Sequence, residues 1–363
     1  MSPPLRVLTV GVKPAVNAAL AGCDDLRVFA LSEHVKRPRI EGPLATLPYR
    51  CGAKLSPESI AQVRAAILRL RPDVVQCQAP KTLAHTTLAA TGVWRRPAIV
   101  SYRGIASRPS RWRAEDRLTY LSPLVDAHAC ESRACLDALV AGGVRPERCA
   151  VVYNCLTRPP GQPVAREALR REFGIPTDAF VVATVANFRP VKGGDLLLRA
   201  AIECRDLADC HWLLVGHVND REMLRLAADR RVKGRVHLAG FREDASEVAG
   251  AASVFCMPSR AEALGVALLE AMSLGVCPAV SDAGGMKEAV RHGVQGLVFE
   301  RGSVAALVQA IRRLHANRDE LAAFGRAAKR RFHHHFSADG MVGRLAAVYR
   351  DVATVAPRLR LAA

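Results

Sequence analysis

Two glutamates eight residues apart are the side chains in this sequence best placed to do chemistry. Glu262 and Glu270 lie in the segment PSRAEALGVALLEAMSLG. The apolar run at residues 253–257 predicts a short buried strand, and residues 266–272 predict a helix. We therefore expect Glu262 in a loop and Glu270 one turn inside the helix, at different depths of one pocket.

The start of this helix is predicted to bind an anion. The backbone N–H groups of Val266 and Ala267, which follow Gly265, have no partner inside the helix, and the helix dipole favours negative charge there. A carboxylate would repel such an anion, so Glu262 and Glu270 should bind hydroxyl groups instead. This division fits a nucleotide sugar, with its diphosphate on the helix start, its ribose diol on Glu270 and its sugar hydroxyls on Glu262.

The segment resembles the signature of a known enzyme family. The glutamate pair, the glycines at 265 and 275 and the downstream run SDAGG at 281–285 look like the E-x7-E signature of the family 4 retaining glycosyltransferases. The resemblance covers most of the chain and is strongest in its second half. It implies an α/β chain with the GT-B fold, in which two Rossmann-like domains face each other across a cleft and a C-terminal helix crosses back to the N-terminal domain.

A second loop supplies cations for the same pocket. Arg189 and Lys192 follow the apolar run at residues 180–185 and precede a predicted helix. Open α/β sheets bind ligands beyond the carboxyl ends of their strands, so both cations should face the glutamate segment. By resemblance to the family's R-x-x-K-G segment, they would contact the donor phosphates and stabilise the departing diphosphate.

The catalytic residues are therefore predicted to be Glu262, Arg189 and Lys192. Other positions are expected to bind the donor through their backbone or side chains, with Phe241 or Arg242 bordering the base. These donor-binding positions are Gly216, Phe241, Arg242, Leu264, Gly265, Val266, Ala267 and Glu270.

Short apolar runs alternate with helical stretches in both halves of the chain, which is typical of parallel sheets wrapped by helices. The predicted strands are residues 6–10, 26–31, 74–77, 98–102, 127–131 and 150–153 in the first half, and 180–185, 211–215, 236–239, 253–257, 277–280 and 296–299 in the second. Residues 157–163 are rich in Pro and Gly and predict a linker. We expect an N-terminal acceptor-binding domain at 1–160, a nucleotide-sugar-binding domain at 161–340 and a C-terminal helix at 341–363.

The acceptor side departs from the family pattern. Family members commonly carry a histidine before a glycine after the fourth strand, whereas this chain has Arg103 before Gly104. Arginine stays protonated and is no general base, but it could clamp a phosphate or orient the acceptor. The glycine-rich loop after the first strand is reduced to Gly11. Gly11, Arg103 and Gly104 are thus weak predictions for acceptor or phosphate contacts, and an inactive nucleotide-sugar-binding homologue is the alternative.

The composition of the chain narrows the classes of function and partner that remain. The net charge of +18 favours anionic partners, which include nucleic acid, acidic membranes and phosphorylated glycolipids. No nucleic-acid recognition motif accompanies it, and a G-x-G-x-x-G fingerprint for an NAD-dependent enzyme is missing. The 11 cysteines show no C-x-x-C pair, so we expect neither a zinc site nor a disulfide framework, and no metal or other cofactor.

The resemblance and the residues together predict a metal-independent, retaining, hexosyltransferase-like enzyme. Its donor is expected to be a UDP- or GDP-linked sugar. Its acceptor is expected to be a cell-envelope glycan or glycolipid such as lipopolysaccharide. No apolar run reaches the roughly 20 residues that span a bilayer, so a cytoplasmic protein with peripheral contact to an anionic membrane is expected.

Overall fold

The structure is a computed structural model that describes residues 3–12, 14–33, 35–156, 160–162 and 164–360. The chain divides into two units. The first comprises Met1–Thr157 together with Ala338–Ala363, and the second comprises Arg158–Ser337. Of the linker predicted at residues 157–163, positions 157–159 and 163 lie outside the described residues.

The first unit contains an eight-stranded sheet in the order β3-β4-β2-β1-β5-β6-β7-β8. Neighbouring strands run parallel, except for the antiparallel pair β3 and β4 at the edge. The central strands are apolar and buried along their length, as parallel strands covered on both faces require. The strands are β1 (Leu5–Val10), β2 (Leu26–Ser32), β3 (Arg39–Glu41), β4 (Leu44–Pro48), β5 (Val74–Cys77), β6 (Ala98–Arg103), β7 (Ala127–Cys130) and β8 (Cys149–Val151).

Helices connect these strands, and their starts follow local sequence. α2, for example, begins at Pro57, and the hydroxyl of Ser56 accepts a hydrogen bond from the Ser59 N–H at 3.3 Å. The helices are α1 (Pro14–Ala21), α2 (Pro57–Leu70), α3 (Pro80–Ala90), α4 (Ala114–Leu118) and α5 (Arg133–Ala141), with a 3-10 turn at Pro146–Arg148.

The second unit contains a six-stranded parallel sheet in the order β11-β10-β9-β12-β13-β14. Its strands are β9 (Phe180–Val185), β10 (Cys210–Val215), β11 (Val236–Gly240), β12 (Val254–Met257), β13 (Cys277–Ser281) and β14 (Leu297–Phe299). Its helices are α6 (Arg166–Phe173), α7 (Gly194–Glu203), α8 (Arg221–Ala227), α9 (Ala245–Gly250), α10 (Val266–Leu274), α11 (Met286–Ala289), α12 (Val304–Ala316) and α13 (Arg318–His335), with 3-10 turns at Pro190–Lys192 and Arg230–Val232. The strand order reverses between β9 and β12, which makes the carboxyl ends of these two strands the expected ligand crevice of the unit.

The final helix, α14 (Ala338–Arg360), packs within the first unit. Met341, Leu345 and Tyr349 are buried in the core that α14 shares with strands of the first sheet. The Tyr349 hydroxyl also donates a hydrogen bond to the side chain of Gln76 at the end of β5. The polar end of this buried ring therefore has a partner, as buried tyrosines require.

Within the described ranges, every helix is too short or too polar for a membrane crossing. Across the same part of the chain, His, Cys, Asp and Glu side chains form no group of three or more that could hold a metal ion.

Candidate active site

The loops that follow β9 and β12 meet at the reversal of strand order in the second sheet. There the Lys192 ammonium donates a hydrogen bond to Glu262 Oε2 at 2.6 Å. The two side chains are only 20% and 14% exposed, so the pair is partly withdrawn from solvent. Two of the predicted catalytic residues are thus in direct contact, although they lie 70 positions apart in sequence.

Backbone geometry fixes the loop that carries Lys192. Gly193 has a φ of +68°, and a Cβ there would lie 2.1 Å from the carbonyl oxygen of Pro258. A larger residue would therefore both strain the backbone and push the two loops apart. The loop is held further by the Arg260 N–H, which donates to the Val191 carbonyl at 2.8 Å.

An ion pair braces the same junction. Arg260 holds Asp195 in a bidentate contact at 2.7 and 2.6 Å. Burial, the largest single influence, would raise the pKa of Asp195. The hydrogen bonds and charge of Arg260, together with backbone hydrogen bonds, outweigh it and hold that pKa below its usual value. Arg260 was not among the predicted site residues, and its contacts with Asp195 and the Pro190 carbonyl hold the position of the loop.

Glu262 is held by neighbours on both sides. The Ser259 hydroxyl lies 3.5 Å from Glu262 Oε2. At Gly284, where φ is +57°, a Cβ would lie 1.7 Å from the carbonyl oxygen of Glu262. The glycine thus lets the segment after β13 pack directly on the backbone of the Glu262 loop.

The start of α10 has the features of an anion site. Gly265 adopts a φ of +92°, and no side chain caps the helix. The backbone N–H groups of its first turn therefore have no side-chain acceptor and can donate to a ligand. The first turn also carries no acidic residue, and Val266 is 38% exposed. Leu264 is fully buried, backbone included, so the structure does not support its predicted donor contact.

Glu270 lies one turn further along α10. Its Oε2 accepts a hydrogen bond from the Ser246 hydroxyl at 2.7 Å, and its side chain is half-buried. The two glutamates therefore differ in what they contact: Glu262 contacts a cation, whereas Glu270 contacts a hydroxyl. Ser246 comes from α9 and was not predicted, because nothing in the sequence links it to Glu270.

The third predicted catalytic residue is placed apart from this pair. Arg189 is exposed and lines a cavity of about 260 Å³ together with Asp195 and Arg260. Among the ion pairs of the described residues none involves Arg189. Its guanidinium is thus available to a ligand, but it does not contact Glu262.

An exposed ring pair follows β10 and β11. His217 and Phe241 stack with their centroids 5.7 Å apart and their planes 14° from parallel. Phe241 is 67% exposed. The Gly216 N–H donates to the Gly240 carbonyl at 2.7 Å, which aligns the two strand ends. His217 was not predicted, although its position directly after the strand-ending Gly216 was a usable signal.

The side chain of Arg242 is held by two acidic residues of the same unit. Its guanidinium donates to both carboxylate oxygens of Asp244, at 2.8 and 3.0 Å, and also pairs with Glu172. Of the two residues predicted to border the base, Phe241 is therefore the better candidate, because its ring is exposed.

In the first unit, Arg103 is turned into its own loop. It is 2% exposed and donates to the carbonyl oxygens of Ile105, at 3.1 Å, and Ser107. Its guanidinium also lies 3.9 Å from the centroid of the Tyr120 ring. The expectation that Arg103 clamps a phosphate or an acceptor is not supported, because its side chain is buried and its donors serve the protein itself.

The two glycines predicted with Arg103 also have structural explanations. A Cβ at Gly104 would lie 2.4 Å from the carboxylate of Glu131, which accepts a hydrogen bond from the Asn154 amide at 3.0 Å. Gly11 has a φ of +67°, and a Cβ there would lie 2.8 Å from Thr82 Cγ2. Gly11 follows β1, where the strand order of the first sheet reverses, so it remains a candidate for ligand contact.

Comparison with known proteins identifies the family. The model of "Glycosyltransferase Family 4" matches residues 19–157, and that of "Glycosyl transferases group 1" matches residues 165–331. D-inositol 3-phosphate glycosyltransferase 1 of Catenulispora acidiphila is 31% identical over 229 residues, which are 59% of this chain and 54% of that protein. N-acetyl-alpha-D-glucosaminyl L-malate synthase of Bacillus anthracis is 25% identical over 185 residues, 51% and 49% of the two chains. The chain thus spans about half the length of these curated relatives.

The fold has solved counterparts. The crystal structure of Anabaena Alr3699/HepE in complex with UDP matches with a TM-score of 0.77 and 18% identity, over 96% of this chain and 100% of that one. This likeness confirms the predicted α/β, GT-B fold class. Together, the two family models cover most of the chain, and the chain belongs to glycosyltransferase family 4.

Proposed function

We propose that this chain is a retaining glycosyltransferase that transfers a sugar from a nucleoside-diphosphate sugar. The observation that carries the proposal is the Lys192–Glu262 contact of 2.6 Å at the reversal of strand order, next to the uncapped start of α10. The loops there hold a cation, a carboxylate and free backbone amides, and glycines with positive φ shape these loops. Such a set matches a donor that combines a diphosphate with hydroxyl groups.

The diphosphate would bind to the cations and to α10. The Lys192 ammonium has three N–H donors, of which one is directed at Glu262, so two remain for phosphate oxygens. The amides of Val266 and Ala267 would bind the other oxygens. Arg189, exposed beside them, would add a bidentate contact. Charge that develops on the departing diphosphate is stabilised by all three groups.

The hydroxyl groups and the base would bind on either side of the diphosphate. Glu262 would accept hydrogen bonds from the transferred sugar, and Glu270 from the ribose diol. The stacked rings of His217 and Phe241 offer a flat surface for the base. UDP is the first nucleotide to test, and GDP the second.

Transfer would proceed without a protein nucleophile. The bond between the anomeric carbon and the β-phosphate oxygen breaks, and the acceptor oxygen bonds to the same face of that carbon. The acceptor proton passes to the departing phosphate oxygen. No titrating residue at position 103 is required by this scheme, which is consistent with a buried Arg103.

The acceptor is proposed to be a cell-envelope glycan or glycolipid such as lipopolysaccharide, reached from the cytoplasmic face of the membrane. The support is the net charge of +18, which favours anionic surfaces and phosphorylated acceptors. The two curated relatives are named for different acceptors, inositol phosphate and malate, so acceptors vary among proteins similar to this one.

Thermal unfolding with a panel of nucleotide sugars tests the donor. The correct donor should raise the melting temperature by mass action, by an amount that grows with its concentration. No shift with any UDP- or GDP-linked sugar would contradict the proposal. Once a donor is known, NMR of the product should show the anomeric configuration of the donor retained, and an inverted product would exclude the scheme above.

Glu262→Gln tests the carboxylate. We expect turnover to fall by about 100-fold or more, because an uncharged amide can neither pair with Lys192 nor accept strongly from the sugar. Glu300→Gln, an exposed position in the same unit, is the matched control and should retain activity. If the unmodified protein binds a donor but neither hydrolyses nor transfers it, the alternative of an inactive nucleotide-sugar-binding homologue is favoured. Arg103, in place of the family's histidine, is the reason for this alternative.

A further inference from the structure

Four arginines line one cavity of the first unit. The cavity has a volume of about 430 Å³. Arg111 and Arg117 reach it from the segment around α4, and Arg145 and Arg148 reach it from the segment before β8. Among the described residues that line it there is neither an aspartate nor a glutamate.

No ion pair within the described part of the chain compensates the positive charge of this cavity. None of the four arginines forms an ion pair there, whereas neighbouring Arg96 holds Asp126 at 2.8 and 3.0 Å. Arg148 donates only to a carbonyl oxygen, that of Val125, at 3.2 Å. Its pKa is lowered by burial and then by the charge of Arg145, which outweigh the opposite influence of Asp126.

The cavity is separate from the edge at which the predicted acceptor contacts lie. Several of its lining residues precede β7 and β8, which places them where these strands begin. Gly11 and Gly104 follow the opposite, carboxyl ends of β1 and β6. Tyr120 lines the cavity and also contacts the guanidinium of Arg103, but none of the predicted site residues lines it, so the cavity lies outside the candidate active site.

The arrangement is built rather than accidental. Gly143 has a φ of +99°, and a Cβ there would lie 2.8 Å from the guanidinium of Arg111. At Gly142 a Cβ would lie 2.4 Å from Pro109. Gly142 thus lets the Arg111 loop pack closely on the end of α5, and the positive φ at position 143 favours a second glycine there. Arg111 lines the same cavity as Arg145 and Arg148 despite their mutual repulsion.

We propose that this cavity binds a phosphate-bearing group, carried by a soluble sugar phosphate or by a lipid headgroup. One guanidinium group can bind two phosphate oxygens at once. Several guanidinium groups around one cavity therefore match the negative charge and the several acceptor oxygens of a phosphate ester. Trp112, 97% exposed and next to Arg111 in sequence, would contact the uncharged part of a lipid. The inference does not depend on the proposed glycosyl transfer.

Arginine labelling of the full chain tests it. Phenylglyoxal modification would be mapped peptide by peptide by mass spectrometry in phosphate-free buffer, with glucose 6-phosphate or with phosphatidylcholine vesicles containing phosphatidylglycerol. This readout distinguishes the cavity from the predicted donor site. Labelling of Arg117 and Arg145 should slow by about tenfold, whereas labelling of the exposed Arg39 and Arg69 should change less than twofold.

A charge-matched pair of variants completes the test. Arg117→Gln with Arg145→Gln should raise the probe concentration needed to protect Arg111 by about tenfold. Arg39→Gln with Arg69→Gln removes the same charge from the same unit and should leave that concentration unchanged.

Each outcome decides the proposal. Protection by glucose 6-phosphate would support it with a soluble ligand, and protection by vesicles alone would support it with a lipid headgroup. Absence of protection by both probes, or equal protection of Arg39 and Arg69, would overturn it.

Discussion

The carboxyl edges of the two sheets are built from similar strands but differ in what their polar residues contact. At the edge of the second sheet, Lys192 and Glu262 meet each other, and Arg189 is exposed. At the edge of the first sheet, Arg103 is 2% exposed and bonds to carbonyl oxygens of its own loop. The second edge therefore presents charge to a ligand, whereas the first uses its charge to hold a loop.

This difference explains why the two edges were not equally predictable. The proposed donor would restrict the second edge, because a diphosphate and sugar hydroxyls need cations, amides and carboxylates at set positions. At the first edge, Arg103 serves the local fold, and the sequence pattern around it matched a ligand role just as well. The following predictions test the contrast, beginning with the largest expected effect.

Gly284→Ala should disrupt the second unit. A Cβ there would lie 1.7 Å from the Glu262 carbonyl oxygen, so the loop must move, and we expect a loss on the order of 3 kcal/mol or more in the free energy of unfolding. Gly302→Ala is the matched control, because its φ is +78° but no atom lies within 4 Å of the added carbon. It should cost only about 1 kcal/mol. Emission of Trp212, which is 1% exposed in this unit, reports the transition during denaturation. Equal losses for both variants would show that close packing on Glu262 is unimportant.

Lys192→Gln should reduce turnover more than it reduces stability. We expect about a 100-fold fall in kcat with the donor identified by thermal unfolding, since the proposed leaving diphosphate would lose one of its cations. Lys233→Gln, an exposed lysine of the same unit, is the control and should keep its turnover. A Lys192 variant with normal kcat would show that the charge at the second edge, like that at the first, does not serve a ligand.

His128 should make the first unit sensitive to acid. Burial, followed by the charges of Arg103 and Arg148, lowers its pKa from 6.5 to about 3. The unfolded chain therefore binds this proton more readily, so stability falls as pH drops below about 6.5, by at most about 2 kcal/mol at pH 5. The His128→Gln variant should show a flatter dependence between pH 7 and 5, measured by hydrogen exchange of β6 and β7 peptides in denaturant. An unchanged slope would assign the acid sensitivity to other groups.

Arg103→Met should affect stability but not donor chemistry. Loss of the hydrogen bonds to Ile105 and Ser107 and of the contact with Tyr120 should cost about 1 kcal/mol in the first unit. Donor hydrolysis should stay within twofold of the unmodified protein. The reverse result, normal stability with lost transfer, would return Arg103 to the acceptor site.

Most of the fold was predictable from the sequence. Each of the predicted strands overlaps an observed one, because buried parallel strands appear as short apolar runs. The strands β3 and β4 were missed. They form a short edge hairpin around Gly42 whose residues are largely exposed or half-buried, so no apolar run marks them.

The site was predictable only in part. The spacing of Glu262 and Glu270 and the glycine before α10 predicted a loop, a helix start and two carboxylates at different depths of one pocket. The sequence did not indicate that Ser246 bonds to Glu270, or that His217 stacks on Phe241. Both contacts join residues 24 positions apart, on segments whose approach depends on packing rather than on local periodicity.

The sequence by itself determined most of the segments that become strands and helices, where glycines permit unusual backbone, and which residue types are available for the proposed diphosphate and hydroxyl groups. Tertiary structure decided which of these residues meet. Because β12 lies beside β9 in the second sheet, the loop carrying Glu262 reaches the loop carrying Lys192. Strand order is set by the packing of the whole sheet, so no local stretch of sequence could specify that contact.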